Sequence, residues 1–156
     1  GEKIVSLLKD SSWMIRSAAL KALTALNYTK ASQKVLPLLK DPALIVRNDA
    51  IDAAVILRPK GIIPAILALL KDSRNYHRGQ AQWAPLKALE ALVAIGAKQS
   101  TAHELSHLLE FKNDRVLLIS TVQTLERLTG KRFEKNKLNE QVQAWKSYLA
   151  QLTPSN

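Results

Sequence analysis

Apolar residues recur along this chain at the three- and four-residue spacing of amphipathic helices, in stretches that come in pairs. In the first pair Ile4, Val5, Leu7 and Leu8 mark a short helix over about 2–9, and Ile15, Ala18, Ala19, Ala22, Leu23 and Leu26 mark a second. In the next pair Val35, Leu36, Leu38 and Leu39 precede a helix that runs to about Leu57, where 58–61 break it. A third pair begins at Ile62 with Pro64 in its first turn; its second helix is expected from about Trp83 to Ile95, with Gly96 as its stop. The fourth spans Thr101 to Leu128 and stops at Gly130. Leu138, Val142, Trp145, Leu149 and Leu152 then share one face of a last helix, a stripe suited to covering the end of a helical stack.

The pairs are copies. The letters LLKD stand at 7–10, 38–41 and 69–72, at intervals of 31 residues, and such a period is the signature of stacked helical hairpins. Asp10 is followed six and nine places later by Arg16 and Ala19, Asp41 by Arg47 and Ala50, and Asp72 by Arg78 and Ala81. Ser11 or Ser12 is expected to cap the first pair's second helix; Asp41 caps the next, with Pro42 as its first helical residue. Matching Leu86–Leu89 to Leu20–Leu23 places an insertion of four residues within 74–85.

Composition agrees with helices. Apolar residues make up 47% of the 156, but Phe, Trp and Tyr only 5%, a mixture dominated by Ala and Leu that suits close-packed helices better than sheets. There is no apolar run long enough for a membrane span and no charged-then-apolar leader. The chain reads as soluble, with the cytoplasm favoured over export; a cleaved leader would leave no trace. Cysteine is absent, which excludes disulfides and thiol chemistry. The net charge is +10, from 23 Lys and Arg against 13 Asp and Glu, and it invites a nucleic-acid or anionic-surface reading.

The pattern LLKDP-x-x-x-VR-x-x-A at 38–50 resembles HEAT repeats, in particular the bacterial subclass similar to phycobilisome-lyase repeats, and Arg58–Ala65 resembles that subclass's helix entry. The resemblance covers about 2–130 and weakens in the fourth repeat, where 112–115 replace the expected turn. It implies an all-α, right-handed α-α superhelix (a solenoid) of about four HEAT-like helical hairpins at 2–28, 31–58, 61–96 and 101–130. A basic connector and a C-terminal capping helix over 131–156 follow. It also implies a scaffold that binds a protein or peptide, without catalytic residues; no cofactor is expected. In that family second helices line the ligand-facing side, and Asp and Arg equivalent to Asp10, Asp41 and Asp72 and to Arg16, Arg47 and Arg78 form ladders between neighbours, a structural reading preferred to a phosphate-binding arginine row.

Aligned on Leu20, Ile51, Leu86 and Val122, the second helices turn toward solvent Ser17, Lys21 and Thr24, then Asn48, Asp52 and Val55, then Trp83, Lys87 and Glu90, and last Ile119, Gln123 and Glu126. The stripe is mixed in sign, whereas a duplex-binding groove needs Lys and Arg to prevail. Trp83, Lys21, Lys87, Asp52 and Tyr28 are the candidate partner-binding residues. Trp83 reads either as an interface anchor or as packing under the insertion. The alternative function is a nucleic-acid-binding HEAT-like module, by analogy with HEAT-like DNA glycosylases, for which only Trp83 and Asp52 could stand in.

Two further features compete with bland readings. His103-Glu104-Leu105-Ser106-His107 fits H-E-x-x-H, the helical motif of zinc hydrolases. Leu105, Leu108 and Leu109 define the apolar side, however, and put both histidines toward water; Thr101 and Glu104 also form a capping box, so the exposed, non-catalytic reading is preferred. Lys9, Lys40 and Lys71 end the three first helices, where the helix dipole favours cations, or else form a basic rail for an acidic partner. The connector cations Lys131, Arg132, Lys135 and Lys137 read as a solvated segment or as a docking site for an acidic surface. The short first helix is uncapped and apolar, which predicts exposed apolar surface on residues 2–26 and a longer parent protein with structure preceding Gly1.

Overall fold

The computed structural model describes residues 1–152; residues 153–156, the end of the expected capping segment, lie outside the described residues. Two compact units are present, Gly1–Asn75 and a second beginning at Tyr76. The boundary falls inside the expected repeat 61–96.

In the first unit α1 (Glu2–Ser6) runs into a 3₁₀ turn at Leu7–Lys9 and is followed by α2 (Trp13–Ala25). A second hairpin repeats this plan: α3 (Ser32–Val35) runs into a 3₁₀ turn at Leu36–Lys40 and precedes α4 (Leu44–Leu57). Helix α5 (Ile62–Lys71) closes the unit against that 3₁₀ turn. The core is the shared apolar face of these elements, with Leu20, Leu23, Val35, Leu39, Ile51, Ile66 and Leu70 almost wholly buried. Leu7, Trp13, Met14, Ile15 and Leu26 of the first hairpin are exposed, and α1 buries none of its residues.

The repeated aspartate has a local task, and it is not the expected one. Helix α2 starts after Ser12 and α4 after Ala43, neither with a side-chain cap, and Pro42 stays outside the helix. Each aspartate instead accepts a hydrogen bond from the backbone N–H two residues on. Asp10 Oδ1 takes it from Ser12 at 2.8 Å, Asp41 Oδ1 from Ala43 at 2.9 Å and Asp72 Oδ1 from Arg74 at 3.0 Å. The Asx turns at Asp10 and Asp41 reverse the chain between the two helices of a pair.

The arginines then couple neighbouring repeats. Arg16 donates from Nε and Nη2 to the two carboxylate oxygens of Asp41, each at 2.8 Å. That hydrogen-bonded pairing raises the Arg16 pKa. Arg47 is buried, and its partner is not an acid: Nε donates to Asn75 Oδ1 at 2.8 Å, and Nη1 to the carbonyls of Asp41 and Pro42 at 2.7 and 3.1 Å. Burial first, and then the neighbouring Arg74, lower its pKa. Asp72 is occupied by Arg74, and Arg78 stands outside the ladder, in a left-handed turn with φ of 51°.

That turn belongs to the insertion, which is ordered. Strands β1 (Tyr76–His77) and β2 (Gln80–Ala81) form a hairpin around Arg78 and Gly79, both at positive φ as a two-residue connection requires. Tyr76 stacks on Phe111 at 4.7 Å between ring centroids. Helix α6 (Trp83–Ala94) follows and ends at Gly96 in the left-handed region.

The fourth pair differs from expectation in its first helix. Gln99–Glu110 is a 3₁₀ helix, with Ala102, Leu105 and Leu108 buried at its period of three. It has no side-chain cap, and Thr101 lies buried inside it, so the capping box does not form. Helix α7 (Arg115–Thr129) is capped by Asp114, which accepts from the Leu117 N–H, and ends at Gly130. Helix α8 (Leu138–Gln151) packs Val142, Trp145 and Leu149 against the 3₁₀ helix and α7, as its stripe predicts. Trp145 is fully buried and meets Phe133 edge-on at 5.0 Å; Lys131 lies over the Phe133 and Tyr148 rings.

Candidate partner-binding face

The buried faces of the second helices fix their common register. Ala19 and Leu20 in α2, Ala50 and Ile51 in α4, Ala88 and Leu89 in α6, and Thr121 and Val122 in α7 are equivalent buried pairs. Leu89, not Leu86, takes the position of Leu20, and Pro85 takes that of Arg16 and Arg47. The caps agree, because α2 and α6 end in the same pair of bonds. Asn27 N–H donates to the Thr24 carbonyl and Tyr28 N–H to Leu23; Gly96 N–H donates to Val93 and Ala97 N–H to Leu92. Measured this way the insertion is seven residues, not four.

Five places before each buried pair begins, the first turn of the helix presents a large apolar side chain to solvent. These are Met14, Ile45, Trp83 and Val116, with exposures of 61%, 44%, 72% and 60%. In the first unit Met14 and Ile45 stand on α2 and α4, which pack together; in the second Trp83 and Val116 stand on α6 and α7, which also pack together. A lone exposed apolar residue is ordinary, but the same one at four equivalent positions is a pattern.

Below that turn the face is polar and of both signs. Lys21 is exposed and pairs with Asp49 of α4 at 3.6 Å, while Asp49 also accepts from the Ser17 hydroxyl at 2.5 Å. Asp52 is exposed one turn beyond Asp49. In the second unit Lys87 and Glu90 follow Trp83 along α6, and Gln123 and Arg127 follow Val116 along α7. A shallow groove of about 360 Å³ lies between these two helices, with Leu86 and Val93 among its lining and Glu90 and Arg127 at opposite sides.

Among the sequence candidates, Trp83 is thus an exposed side chain and not packing under the insertion. Lys21 and Asp52 share the α2–α4 face, and Trp83 and Lys87 share one face of α6. Tyr28 stands apart: its hydroxyl donates to Glu2 at 2.6 Å, which ties the end of α2 to α1 and raises the phenol's pKa. Ser17 and Asn48, expected toward solvent, are buried. Met14, Ile45 and Val116 were not among the candidates, although the 31-residue interval from Met14 to Ile45 carried the signal.

The H-E-x-x-H segment does not build a metal centre of the zincin type. It lies in a 3₁₀ helix of three residues per turn, so residues four apart are separated by about 120°. Each imidazole turns back on its own helix, with His103 Nδ1 at 3.0 Å from the Ser100 carbonyl and His107 Nδ1 at 2.9 Å from that of Glu104. Among the described residues no group of three His, Cys, Asp or Glu side chains is arranged to hold a metal ion.

Residues 2–55 match the family model for HEAT repeats. The first two helical hairpins are HEAT repeats. The Asx turns at Asp10 and Asp41 and the Arg16–Asp41 pair lie within the matched residues, and an all-α HEAT-like hairpin architecture continues in the second unit. No curated protein and no solved structure matches the chain. Among the described residues, no helix is long and apolar enough to cross a membrane.

Proposed function

We propose that the chain is a non-catalytic scaffold whose second-helix faces bind a protein or peptide segment. HEAT repeats are interaction modules as a rule, and the observation that carries the reading here is the exposed apolar residue at one register position of α2, α4, α6 and α7. Its polar surroundings select the partner's chemistry: an apolar side chain anchored on Met14 and Ile45, or on Trp83 and Val116, flanked by groups that meet Lys21 and Lys87 on one hand and Asp52 and Glu90 on the other. The mixed signs count against a nucleic-acid backbone as the ligand of this face, because phosphate binding needs cations in excess.

Photo-crosslinking tests the reading. A benzophenone amino acid at position 14 or 83 should yield a discrete adduct in extract of the source cells, identified by mass spectrometry. Recombinant partner should then bind the wild type, and lose at least tenfold in affinity to Met14→Glu with Ile45→Glu, or to Trp83→Glu with Val116→Glu. Unchanged affinity in both double variants would refute this face as the binding site.

A further inference from the structure

Four of the 23 Lys and Arg side chains surround a different feature. A cleft of about 710 Å³ opens in the second unit beside α8, and Lys112, Arg115, Lys137 and Lys146 line it. Lys112 and Arg115 come from the turn into α7 and its first residue, and Lys137 and Lys146 from the start and middle of α8. Among the described residues no carboxylate lines the cleft. Lys146 reaches Glu110 at 3.1 Å, outside that lining.

Four cations around one cleft repel one another, and Lys146 alone of the four has a carboxylate, Glu110, within 4 Å among the described residues. Exposed cations would suffer less on the open surface, where water and salt screen them. The lining between them is not purely polar: Leu109, Leu118 and Val142 contribute apolar surface, and Asn139 and Gln143 side-chain amides. Among the described residues no aromatic ring lines the cleft, so bases have nothing there to stack on. Its volume falls in the range that takes a few side chains.

We infer that this cleft is a docking site for an acidic peptide segment, one that places an apolar side chain against Leu109, Leu118 and Val142 with carboxylates on either side. The carboxylates meet Lys112 and Arg115 on one wall and Lys137 and Lys146 on the other, and the amides of Asn139 and Gln143 serve the peptide backbone. The site meets the apolar row only at the first turn of α7, where Arg115 stands next to Val116, and it does not depend on that row's function.

The probe is a fluorescein-labelled dodecapeptide, Glu-Asp-Leu-Glu repeated three times, titrated with the full chain by fluorescence anisotropy. Comparison probes are the same peptide with Gln and Asn for its acids, the same peptide with Ser for Leu, and a single-stranded DNA dodecamer. The acidic apolar peptide should bind tightest and weaken as salt rises, and amide shifts should map to 109–118 and 136–146. Lys112→Glu with Arg115→Glu should weaken it by roughly tenfold or more, since both side chains are exposed and each would lose a charge-assisted contact. Lys30→Glu with Lys34→Glu, exposed in the first unit and equal in charge change, should alter affinity by less than about twofold. Equal loss in both double variants would reduce the effect to net charge and overturn the site, as would tighter binding of the DNA, equal binding of the Ser-for-Leu peptide, or no binding of the acidic peptide.

Discussion

Arg16 and Asp41 join one HEAT repeat to the next through two parallel hydrogen bonds of 2.8 Å, with Asp41 almost wholly buried. The arginine's remaining nitrogen, Nη1, donates to the carbonyls of Asp10 and Ser11, so one side chain ties both Asx turns together. Removing Asp41 strips that guanidinium of its acid and the Ala43 N–H of its acceptor at once. Asp41→Ala should cost about 2–4 kcal/mol of stability, read by urea denaturation.

The same pair sets an acid limb. Burial disfavours the charged Asp41 carboxylate, but the hydrogen bonds from Arg16 and from the Ala43 N–H outweigh it and hold the pKa below the ordinary 3.8. Asp72 is held low too, chiefly by Arg74. A carboxylate depressed in the folded state contributes stability that is fully present above its unfolded value and is lost as pH falls through the folded one. Stability should therefore decline below about pH 4, and Asp41→Asn should flatten that decline. In Arg16→Met, burial remains without the guanidinium while the Ala43 N–H and Arg47 still favour the carboxylate, so the Asp41 contribution should shrink. A denaturation series across this pH range distinguishes the three proteins.

Asn75 is the polar group that Arg47 relies on. Its Oδ1 accepts from Arg47 Nε, and its Nδ2 donates to the Leu69 carbonyl at 3.0 Å; Asn75 is fully buried and Arg47 nearly so. Asn75→Ala leaves the charged Arg47 Nε–H without its acceptor and removes one of the two hydrogen bonds to the Leu69 carbonyl, and should destabilise the first unit by about 2–4 kcal/mol. Asn75→Asp restores an acceptor for Arg47 but not the donor for Leu69, so it should recover only part of the loss. Urea denaturation of the two variants against wild type checks the order.

Much of this was legible in the letters. LLKD repeats because its aspartate makes the turn, and both Leu20 and Ile51 sit where the 31-residue interval puts them. The Trp145 stripe of α8 was equally plain. Besides the Asp41 cap and the partner of Arg47, two larger features were not. Leu86–Leu89 copies the letters of Leu20–Leu23, but the hairpin and the rigid Pro85 shift α6 by three residues, so letter matching and burial disagree. The 3₁₀ winding of Gln99–Glu110 was hidden because apolar residues three apart suit either helix. Both misses fall where local spacing is ambiguous and packing decides.

The histidine pair follows from that winding. Held about 120° apart, His103 and His107 lack the common face that a shared zinc ion requires. His103→Ala with His107→Ala should leave the melting temperature within about two degrees, since neither side chain is buried. Elemental analysis of the purified chain should find no stoichiometric zinc, and one tightly held zinc per chain would refute the geometry.

Asp114 anchors the insertion to the last repeat. Its Oδ1 accepts from the Leu117 N–H at 2.9 Å as the cap of α7, and its Oδ2 accepts from the Ala81 N–H of β2 at 2.7 Å. The residue is buried, so neither amide has water ready to replace it. Asp114→Ala should remove a helix cap and the Ala81 tether of β2 to the start of α7 together, a loss of about 2–4 kcal/mol. Asp114→Asn separates the two roles. Its oxygen can cap α7, but its NH₂ then faces the Ala81 N–H, donor against donor. Hydrogen exchange should therefore show Ala81 deprotected in both variants, and the first turn of α7 deprotected in Asp114→Ala alone. Protection of Ala81 surviving in Asp114→Asn would mean that the β1–β2 hairpin holds its place without this carboxylate.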